Sequence, residues 1–252
     1  MSDSHHNHHH RHAQEDHHDY VEANRAHFDA TDYAIVNDDH PSHLEFAGAV
    51  GLAIRQAYPF DPANTTALDF ACGTGLTTRS YVSGVKSVLG VDVSQNMLDQ
   101  YMKQAREKGL ADKMSCICVE LKGAEGELGG EKFDIITCSM AYHHFESLQD
   151  TTNMLVNLLK LNGMLIVVDM EAPHAETEAL IEKLDFVPHK HGFGVDEMKK
   201  VFEAAGLVEF DMKHVAHASL VGGLEVDAFL ARGSSLVKFD FWMFSFTGFD
   251  NE

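Results

Sequence analysis

Short apolar runs alternate with amphipathic stretches through the middle of the chain. The apolar runs have the length of strands and fall at about 67–71, 86–92, 114–121, 132–141 and 164–170. Apolar residues recur at helical spacing over about 42–57, 75–83, 94–109 and 148–163. Strands that alternate with helices imply right-handed crossovers and a mostly parallel sheet. Because the strands are almost wholly apolar, we expect helices to cover both faces of that sheet.

Capping signals predict where these helices begin and end. Ser42, followed by Glu45, has the spacing of a capping box, so we expect the first helix to begin at Ser42. Ser94 is the expected N-cap of the helix that ends at Gly109. The pair at 162–163, Asn-Gly, is expected to end the helix that precedes the fifth strand.

The alternation stops after residue 170. Residues 171–194 are predicted to be an insertion after the fifth strand, and a short helix that ends near Gly206 follows it. Two further β segments are predicted at about 207–216 and 236–246, the second because it is rich in phenylalanine.

The N-terminus is a separate compositional zone. Nine of the 18 histidines lie within residues 1–27. Such a tract cannot bury a core, so residues 1–19 are predicted to be a disordered tail without a catalytic role, and residues 20–252 a single domain. The tail's histidines could bind divalent metals weakly.

Charge and cysteine usage narrow the function classes. The formal net charge is −20, which disfavours nucleic acid as a partner. No apolar run approaches the roughly 18 residues of a membrane span, and the N-terminus has no apolar signal region. The four cysteines lie in or beside apolar runs and form no C-x-x-C pair, so buried free thiols, no metal site and a cytoplasmic protein are predicted.

The segment LDFACGTGLTTR at 68–79 indicates a cofactor site. Gly73 and Gly75 follow the first strand, where ligands of open α/β sheets bind. A dinucleotide and S-adenosylmethionine (SAM) are both plausible there. The third glycine of a dinucleotide fingerprint is replaced by Thr78, and Asp69 would repel a pyrophosphate. The same carboxylate would attract the cationic amine of SAM, whereas Asp92 suits the ribose hydroxyls of either cofactor.

Four ordered motifs carry a resemblance to a known family. D-x-A-C-G-T-G at 69–75, VLGVDVSQNML at 88–98, FDIITCSMAYHHF at 133–145 and LLKLNGMLIVVDM at 158–170 resemble those of class I SAM-dependent methyltransferases. The small-molecule, UbiE-like (methyltransferase type 11/12) group is the most similar. The resemblance implies a Rossmann-like, seven-stranded, mostly parallel sheet with an antiparallel last strand and an N-terminal helical cap. It also implies transfer of a methyl group from SAM to an O, N or S nucleophile of a small molecule, with S-adenosylhomocysteine (SAH) as product.

The resemblance assigns roles to individual residues. Those around the methionine part of SAM would be Asp69, Ala71, Cys72, Gly73, Gly75, Ser139 and Met140. Those at the ribose and adenine would be Asp92, Val93, Met97, Glu120 and Leu121. Tyr33, near the N-terminus, and Phe186, His189, His191 and Phe193, in the insertion, would contact the acceptor.

His143 and His144 are the candidate catalytic residues. They lie just beyond the fourth strand, and histidine can take a proton from a hydroxyl, amine or thiol near neutral pH. Proximity and orientation supply most of the catalysis of methyl transfer, so a base is needed only where the nucleophile carries a proton. His143 is the favoured base.

Two other function classes stay open at this stage. A SAM-binding regulatory protein without catalysis would keep the cofactor motifs, and an NAD-linked oxidoreductase would use the same glycine loop. Metal sensing by the histidine-rich tail is a remoter alternative. Neither the identity of the acceptor nor the oligomeric state follows from the sequence.

Overall fold

A seven-stranded sheet forms the centre of the protein in a computed structural model that describes residues 19–30, 38, 40–173, 175–220 and 224–236. Its strands are β1 (Thr66–Phe70), β2 (Ser87–Asp92), β3 (Met114–Cys118), β4 (Phe133–Ser139), β5 (Leu159–Met170), β6 (Leu207–Leu220) and β7 (Leu224–Ser235). The order across the sheet is β3-β2-β1-β4-β5-β7-β6. β7 runs antiparallel to β5 and β6, and all other neighbours are parallel. The predicted Rossmann-like sheet with an antiparallel last strand is confirmed.

Helices cover both faces of this sheet, as predicted. They are α1 (Tyr20–Phe28), α2 (Pro41–Ala57), α3 (Leu76–Tyr81), α4 (Gln95–Glu107), α5 (Leu148–Asn157), α6 (Ala175–Ile181) and α7 (Val195–Ala204). One buried cluster joins the sheet to α2 and α4 through side chains such as Ile54 and Tyr101. A second cluster joins it to α5 and α7 through Leu155 and Phe202.

The predicted start of α4 is confirmed, whereas the predicted start of α2 is not. Ser94 Oγ accepts a hydrogen bond from the Met97 backbone N–H at 3.2 Å, which confirms the predicted N-cap. The capping box at Ser42 is wrong, because α2 begins one residue earlier and has His40 as its N-cap. Pro41 occupies the first helical position, where its fixed φ favours helix initiation. Ser42 Oγ instead forms a hydrogen bond with His40 Nδ1 at 2.7 Å.

The predicted helix end at 162–163 is also wrong. α5 ends at Asn157, and β5 begins at Leu159. Asn162 has a left-handed φ of 61°, but it lies inside β5, where the register with β4 shifts. A left-handed Asn before Gly occurs at strand irregularities as well as at helix ends, and here it belongs to the former.

The last strand lies earlier than the phenylalanine-rich segment suggested. β7 is Leu224–Ser235, whereas residues 237–252 lie outside the described part of the chain. β7 is buried at Val226 and from Ala228 to Ala231, but its small residues weaken the apolar signal that a strand would otherwise show. Most of the predicted tail, residues 1–18, is likewise outside the described residues.

The cysteines are free, but they are not all buried. Cys138 is buried, Cys72 and Cys116 are half-buried, and Cys118 is exposed. Cys118 ends β3, an edge strand of the sheet, so the prediction of a buried thiol is wrong there. Among the helices described above, none has the length and apolar character to cross a membrane.

Candidate functional site

A cavity of about 1220 Å³ opens at the carboxyl ends of β1, β2 and β4. The strand order reverses between β1 and β4, which is where open α/β sheets bind ligands. The cavity is larger than the roughly 300–1,000 Å³ of a pocket for one drug-sized ligand. It therefore has room for a cofactor and a second small molecule.

Asp92, at the end of β2, holds the glycine loop that follows β1. Its Oδ2 accepts a hydrogen bond from the Gly73 backbone N–H at 2.8 Å, and its Oδ1 accepts one from the Ser94 backbone N–H at 2.9 Å. A carboxylate has about four acceptor positions, so Asp92 keeps capacity for ligand hydroxyls. Burial raises the pKa of Asp92, and the backbone donors oppose that shift.

The two glycines of the loop have different surroundings. A Cβ at Gly73 would meet open space, and Gly73 lines the cavity. Gly75 has a φ of +74°, and a Cβ there would lie 2.5 Å from the ring of Tyr101. Gly75 is not among the lining residues, so the structure gives it a packing role and offers no support for the predicted cofactor contact.

Alanine substitutions separate these two roles. Gly75→Ala is expected to lower the free energy of unfolding by about 2 kcal/mol, because it combines an unfavourable left-handed φ with overpacking against Tyr101. Gly73→Ala is expected to cost less stability and to weaken SAH binding more. Urea unfolding and calorimetric titration of both variants measure this, and the reverse ranking would contradict the assignment.

Asp69 is a buried carboxylate beneath the loop. Its two oxygens accept hydrogen bonds from the hydroxyls of Thr137, at 3.0 Å, and of Thr78. Burial raises the pKa of Asp69 to about 6, the two hydroxyls partly oppose the shift, and the charge of Asp92 adds to it. A bound cation would relieve this unfavourable charge.

The remaining predicted cofactor residues all line the cavity, and they are Ala71, Cys72, Val93, Met97, Glu120, Leu121, Ser139 and Met140. Ser139 Oγ is buried and has no hydrogen-bond partner among the described residues. Burial raises the pKa of the Cys72 thiol well above its usual range, which makes Cys72 a poor nucleophile.

His143 forms a hydrogen-bonded pair with Asp169. Its Nδ1 lies 2.7 Å from Asp169 Oδ1, and its backbone N–H donates to Oδ2 at 3.3 Å. Asp169 is fully buried at the end of β5, and its Oδ1 also accepts the Met170 backbone N–H at 2.7 Å. A carboxylate at Nδ1 favours the tautomer that carries its proton there, and Nε2 is then an acceptor on the ring that lines the cavity.

His144 has a different environment. Burial lowers the pKa of His144 well below its usual range, and the neighbouring His143 lowers it further. Its Nδ1 lies 3.4 Å from the Phe186 carbonyl oxygen. His144 therefore presents a neutral ring to the cavity and, unlike His143, has no carboxylate to orient it as a base.

His144 belongs to an aromatic wall, which we define as His27, Phe28, His144 and Phe186. The rings of His27 and Phe186 stack at 4.0 Å, and the His144 ring is nearly parallel to Phe186, at an interplanar angle of 15°. Phe28 meets both His144 and Phe186 edge-on. All four residues line the cavity.

Helix α1 connects this wall to the cofactor strands. Arg25 Nε donates to the Val93 carbonyl oxygen at 3.4 Å, and Asp29 Oδ1 accepts the Ser94 hydroxyl at 2.6 Å. At the other side, Asn24 Nδ2 donates to the Phe186 carbonyl oxygen at 3.1 Å. α1 thus spans the cavity from the end of β2 to the insertion, as expected of the predicted N-terminal cap.

The insertion places some of its predicted residues at the cavity and others away from it. Phe193 donates its backbone N–H to the Met170 carbonyl oxygen at 3.0 Å, so the insertion leaves and returns at the end of β5. Phe186 lines the cavity, but His189, His191 and Phe193 do not. Phe193 packs in the core against Phe229, and His191 is exposed beside Glu178. Tyr33 lies outside the described residues.

Sequence reasoning missed Asp169, Asn24, His27 and Phe28. The sequence could have indicated Asp169, because this acid comes at the end of an apolar run, as Asp92 does. The other three lie in a short helix whose position over the cavity depends on contacts with residues far along the chain.

Comparison with known proteins supports a methyltransferase. The profile of a methyltransferase domain family matches residues 68–167. An uncharacterised methyltransferase of Schizosaccharomyces pombe is 36% identical over 162 residues, which are 61% of this chain and 57% of that protein. The chain spans 57%, 41% and 39% of the length of three curated relatives that it matches.

Solved structures share the fold. A magnesium protoporphyrin IX methyltransferase from Synechocystis with bound SAH superposes with a TM-score of 0.64 at 15% identity, over 86% of this chain and all of that chain (100%). The YcgJ protein of Bacillus subtilis superposes with a TM-score of 0.58 at 20% identity, over 75% of this chain and 98% of that chain. Residues 68–167 therefore match a methyltransferase domain family, and the chain has the fold of a solved methyltransferase with bound SAH.

Proposed function

We propose that the protein transfers a methyl group from SAM to a proton-bearing O, N or S nucleophile of a small molecule. The observation that carries the proposal is the His143–Asp169 pair at the wall of a cavity with room for two ligands. A protein that only binds SAM has no need of an oriented base, so the pair favours catalysis over a regulatory role.

The chemistry of the cavity fits SAM and not a dinucleotide. The Gly73 backbone N–H, which a pyrophosphate would use, is bound by Asp92. Asp69 adds a buried carboxylate beneath the loop, and this carboxylate would repel a phosphate nearby. We propose that Asp69 attracts the amine of SAM, that Asp92 accepts its ribose hydroxyls, and that Ser139 Oγ supplies a further polar contact.

His143 would supply proton transfer to the reaction. When bound, SAM presents a methyl carbon made electrophilic by its sulfonium. His143 Nε2 accepts the proton that the nucleophile releases as its bond to the methyl carbon forms and the carbon–sulfur bond breaks. The buried carboxylate of Asp169 stabilises the resulting imidazolium, and the apolar walls keep water from competing.

The location of the protein is also a proposal. All four cysteines are free thiols, and one of them, Cys118, is exposed. Free cysteines are typical of a reducing compartment such as the cytoplasm.

Calorimetric titration with SAH tests the cofactor site. Asp92→Ala is expected to weaken SAH binding by roughly 10- to 100-fold, because it removes charged hydrogen-bond acceptors for the ribose and frees the glycine loop. Asp112→Ala, at an exposed acid outside the cavity, is the matched control and should leave the affinity unchanged. Equal affinities for wild type and Asp92→Ala would overturn the proposed site.

A further inference from the structure

We infer that the acceptor subsite of this cavity takes a flat, apolar molecule that carries hydrogen-bond donors and no negative charge. The subsite lies between α1 and the insertion, beside His143. This inference rests on the proposed function, since it names the class of acceptor for the same site.

The aromatic wall provides the apolar surface. The rings of His27 and His144 are nearly parallel to that of Phe186, and the Phe28 ring meets the His144 ring edge-on. Burial lowers the pKa of both His27 and His144, so these rings are neutral at physiological pH and behave as aromatic surfaces. Planar rings of a ligand pack favourably on such faces by offset stacking or edge-to-face contact. Further along the cavity, Val21, Ile181, Leu184 and Val187 extend the apolar lining.

Asn24 supplies a polar anchor in this wall. It is 7% exposed, and its Nδ2 donates to the carbonyl oxygens of Tyr20, at 2.7 Å, and Phe186, at 3.1 Å. These two carbonyls fix the orientation of the amide, since the reverse orientation would oppose oxygen to oxygen. Asn24 Oδ1 is then a buried acceptor without a partner among the described residues, in a side chain that lines the cavity. A buried acceptor of this kind favours a ligand that brings an O–H or N–H.

The charges around the cavity exclude anions. Six carboxylates line it, at Asp19, Asp69, Asp92, Glu120, Glu146 and Asp150. The described lining residues include no lysine or arginine. Three cations of the described residues that lie beside lining residues are paired with acids, Arg25 with Glu22 at 2.6 Å, Arg79 with Asp38 at 2.6 Å and Lys122 with Glu120 at 3.6 Å. A carboxylate or phosphate on the acceptor would be repelled by these acids and would meet no cation among the described lining residues. A hydroxyl or an ammonium would not be repelled.

Three phenols of similar size test this selectivity. Tyramine is cationic, 4-ethylphenol is neutral and 4-hydroxyphenylacetate is anionic, while all three share the ring and the hydroxyl donor. Binding to the SAH-loaded full chain is measured by NMR titration at about 0.15 M salt, where charges beyond about 8 Å are screened. We expect tyramine and 4-ethylphenol to bind at least about tenfold more tightly than 4-hydroxyphenylacetate, a difference of about 1.4 kcal/mol.

A matched pair of variants locates the binding. Phe186→Leu keeps the apolar volume but removes the central ring of the wall, so it should weaken tyramine and 4-ethylphenol binding about fivefold, within the range of an aromatic pair. Phe210→Leu, on β6 outside the cavity, should leave both affinities within about twofold, because Phe210 packs against Phe202 and neither residue lines the cavity. The inference is overturned if 4-hydroxyphenylacetate binds as tightly as the others, or if none of the three binds while SAH does. Failure of SAH itself to bind would instead overturn the proposed function.

Discussion

Asp169→Asn is expected to lower kcat for methyl transfer by about 10²- to 10⁴-fold, the range of an oriented general base, with little change in SAM affinity. Asp169 touches His143 through both carboxylate oxygens, and it has no place among the residues that line the cavity. It is therefore a positioning residue, whose effect reaches the reaction only through the His143 ring.

The physical basis is the tautomer of His143. The carboxylate of Asp169 accepts a hydrogen bond from Nδ1–H, which leaves Nε2 as the acceptor for the nucleophile's proton. An asparagine amide can donate to Nδ1 instead, and it would then place the ring proton on Nε2, where it blocks the base. The asparagine also loses the negative charge that stabilises the imidazolium.

The tautomer can be observed without knowing the acceptor. Long-range proton–nitrogen NMR of histidine-labelled protein, with His143 assigned by His143→Gln, should show Nδ1–H in the wild type and Nε2–H in Asp169→Asn. Asp211→Asn, at a surface acid paired with Arg232, is the matched control and should not move the His143 signals. An Nε2–H tautomer in the wild type would remove the basis for His143 as the general base.

Asp69→Asn is expected to weaken SAH binding by roughly 10- to 100-fold at pH 8. It should also make the free energy of unfolding of the unliganded protein less dependent on pH. Asp69 is 3% exposed, and the negative charge of Asp92 lies near it. The ionised carboxylate is therefore unfavourable in the empty site and favourable once the cationic amine of SAM is present. Stability is given up at this position in exchange for binding.

The direction of the pH dependence follows from the raised pKa of Asp69, about 6 against 3.8 for an exposed carboxyl. A carboxyl whose pKa is raised by folding stabilises the fold fully below its unfolded pKa, and this contribution is lost as pH rises through about 6. Between pH 5 and pH 8 the loss amounts to about 1.5 kcal/mol. Asp69→Asn removes this pH dependence. Between pH 5 and pH 8 the free energy of unfolding of the variant should therefore rise by that amount relative to the wild type.

Urea unfolding at pH 5 and pH 8 measures the stability difference between wild type and Asp69→Asn. SAH titration of the wild type over the same range should show affinity falling about tenfold by pH 5, as Asp69 becomes protonated. Asp99→Asn, at an acid on α4 outside the cavity, should show neither effect. A pH-independent stability difference would mean that Asp69 is not the titrating group.

Much of the fold could be predicted because the alternation of strands and helices follows from local patterns of apolar residues. The five parallel strands overlap the predicted apolar runs, and Ser94 caps α4 as expected. The errors fall where one local signal fits two structures. Asn162 before Gly163 has the pattern of a helix end but forms an irregularity in β5. β7 has a weaker apolar pattern than the segment that follows it.

The two halves of the site differ in how far the sequence could predict them. The cofactor half follows from the ends of consecutive parallel strands, which meet at one edge of the sheet, and all its predicted residues except Gly75 line the cavity. The acceptor half is built by α1 and the insertion, which meet through contacts such as Asn24 to Phe186, 162 residues apart. Such contacts leave no periodic pattern in the sequence. His189, His191 and Phe193 lie in the insertion, as predicted, but they do not line the cavity.

Thermal unfolding of the full chain with SAM, SAH, NAD or no ligand tests the central claim most directly. A ligand at about 100 times its Kd stabilises the folded state by about 2.7 kcal/mol. For a chain of this size that raises Tm by roughly 5–10 °C. We predict this rise with SAM and SAH and none with NAD. A rise with NAD alone would make the protein a dinucleotide enzyme, and no rise with SAM or SAH would contradict a methyltransferase built on Asp69 and Asp92.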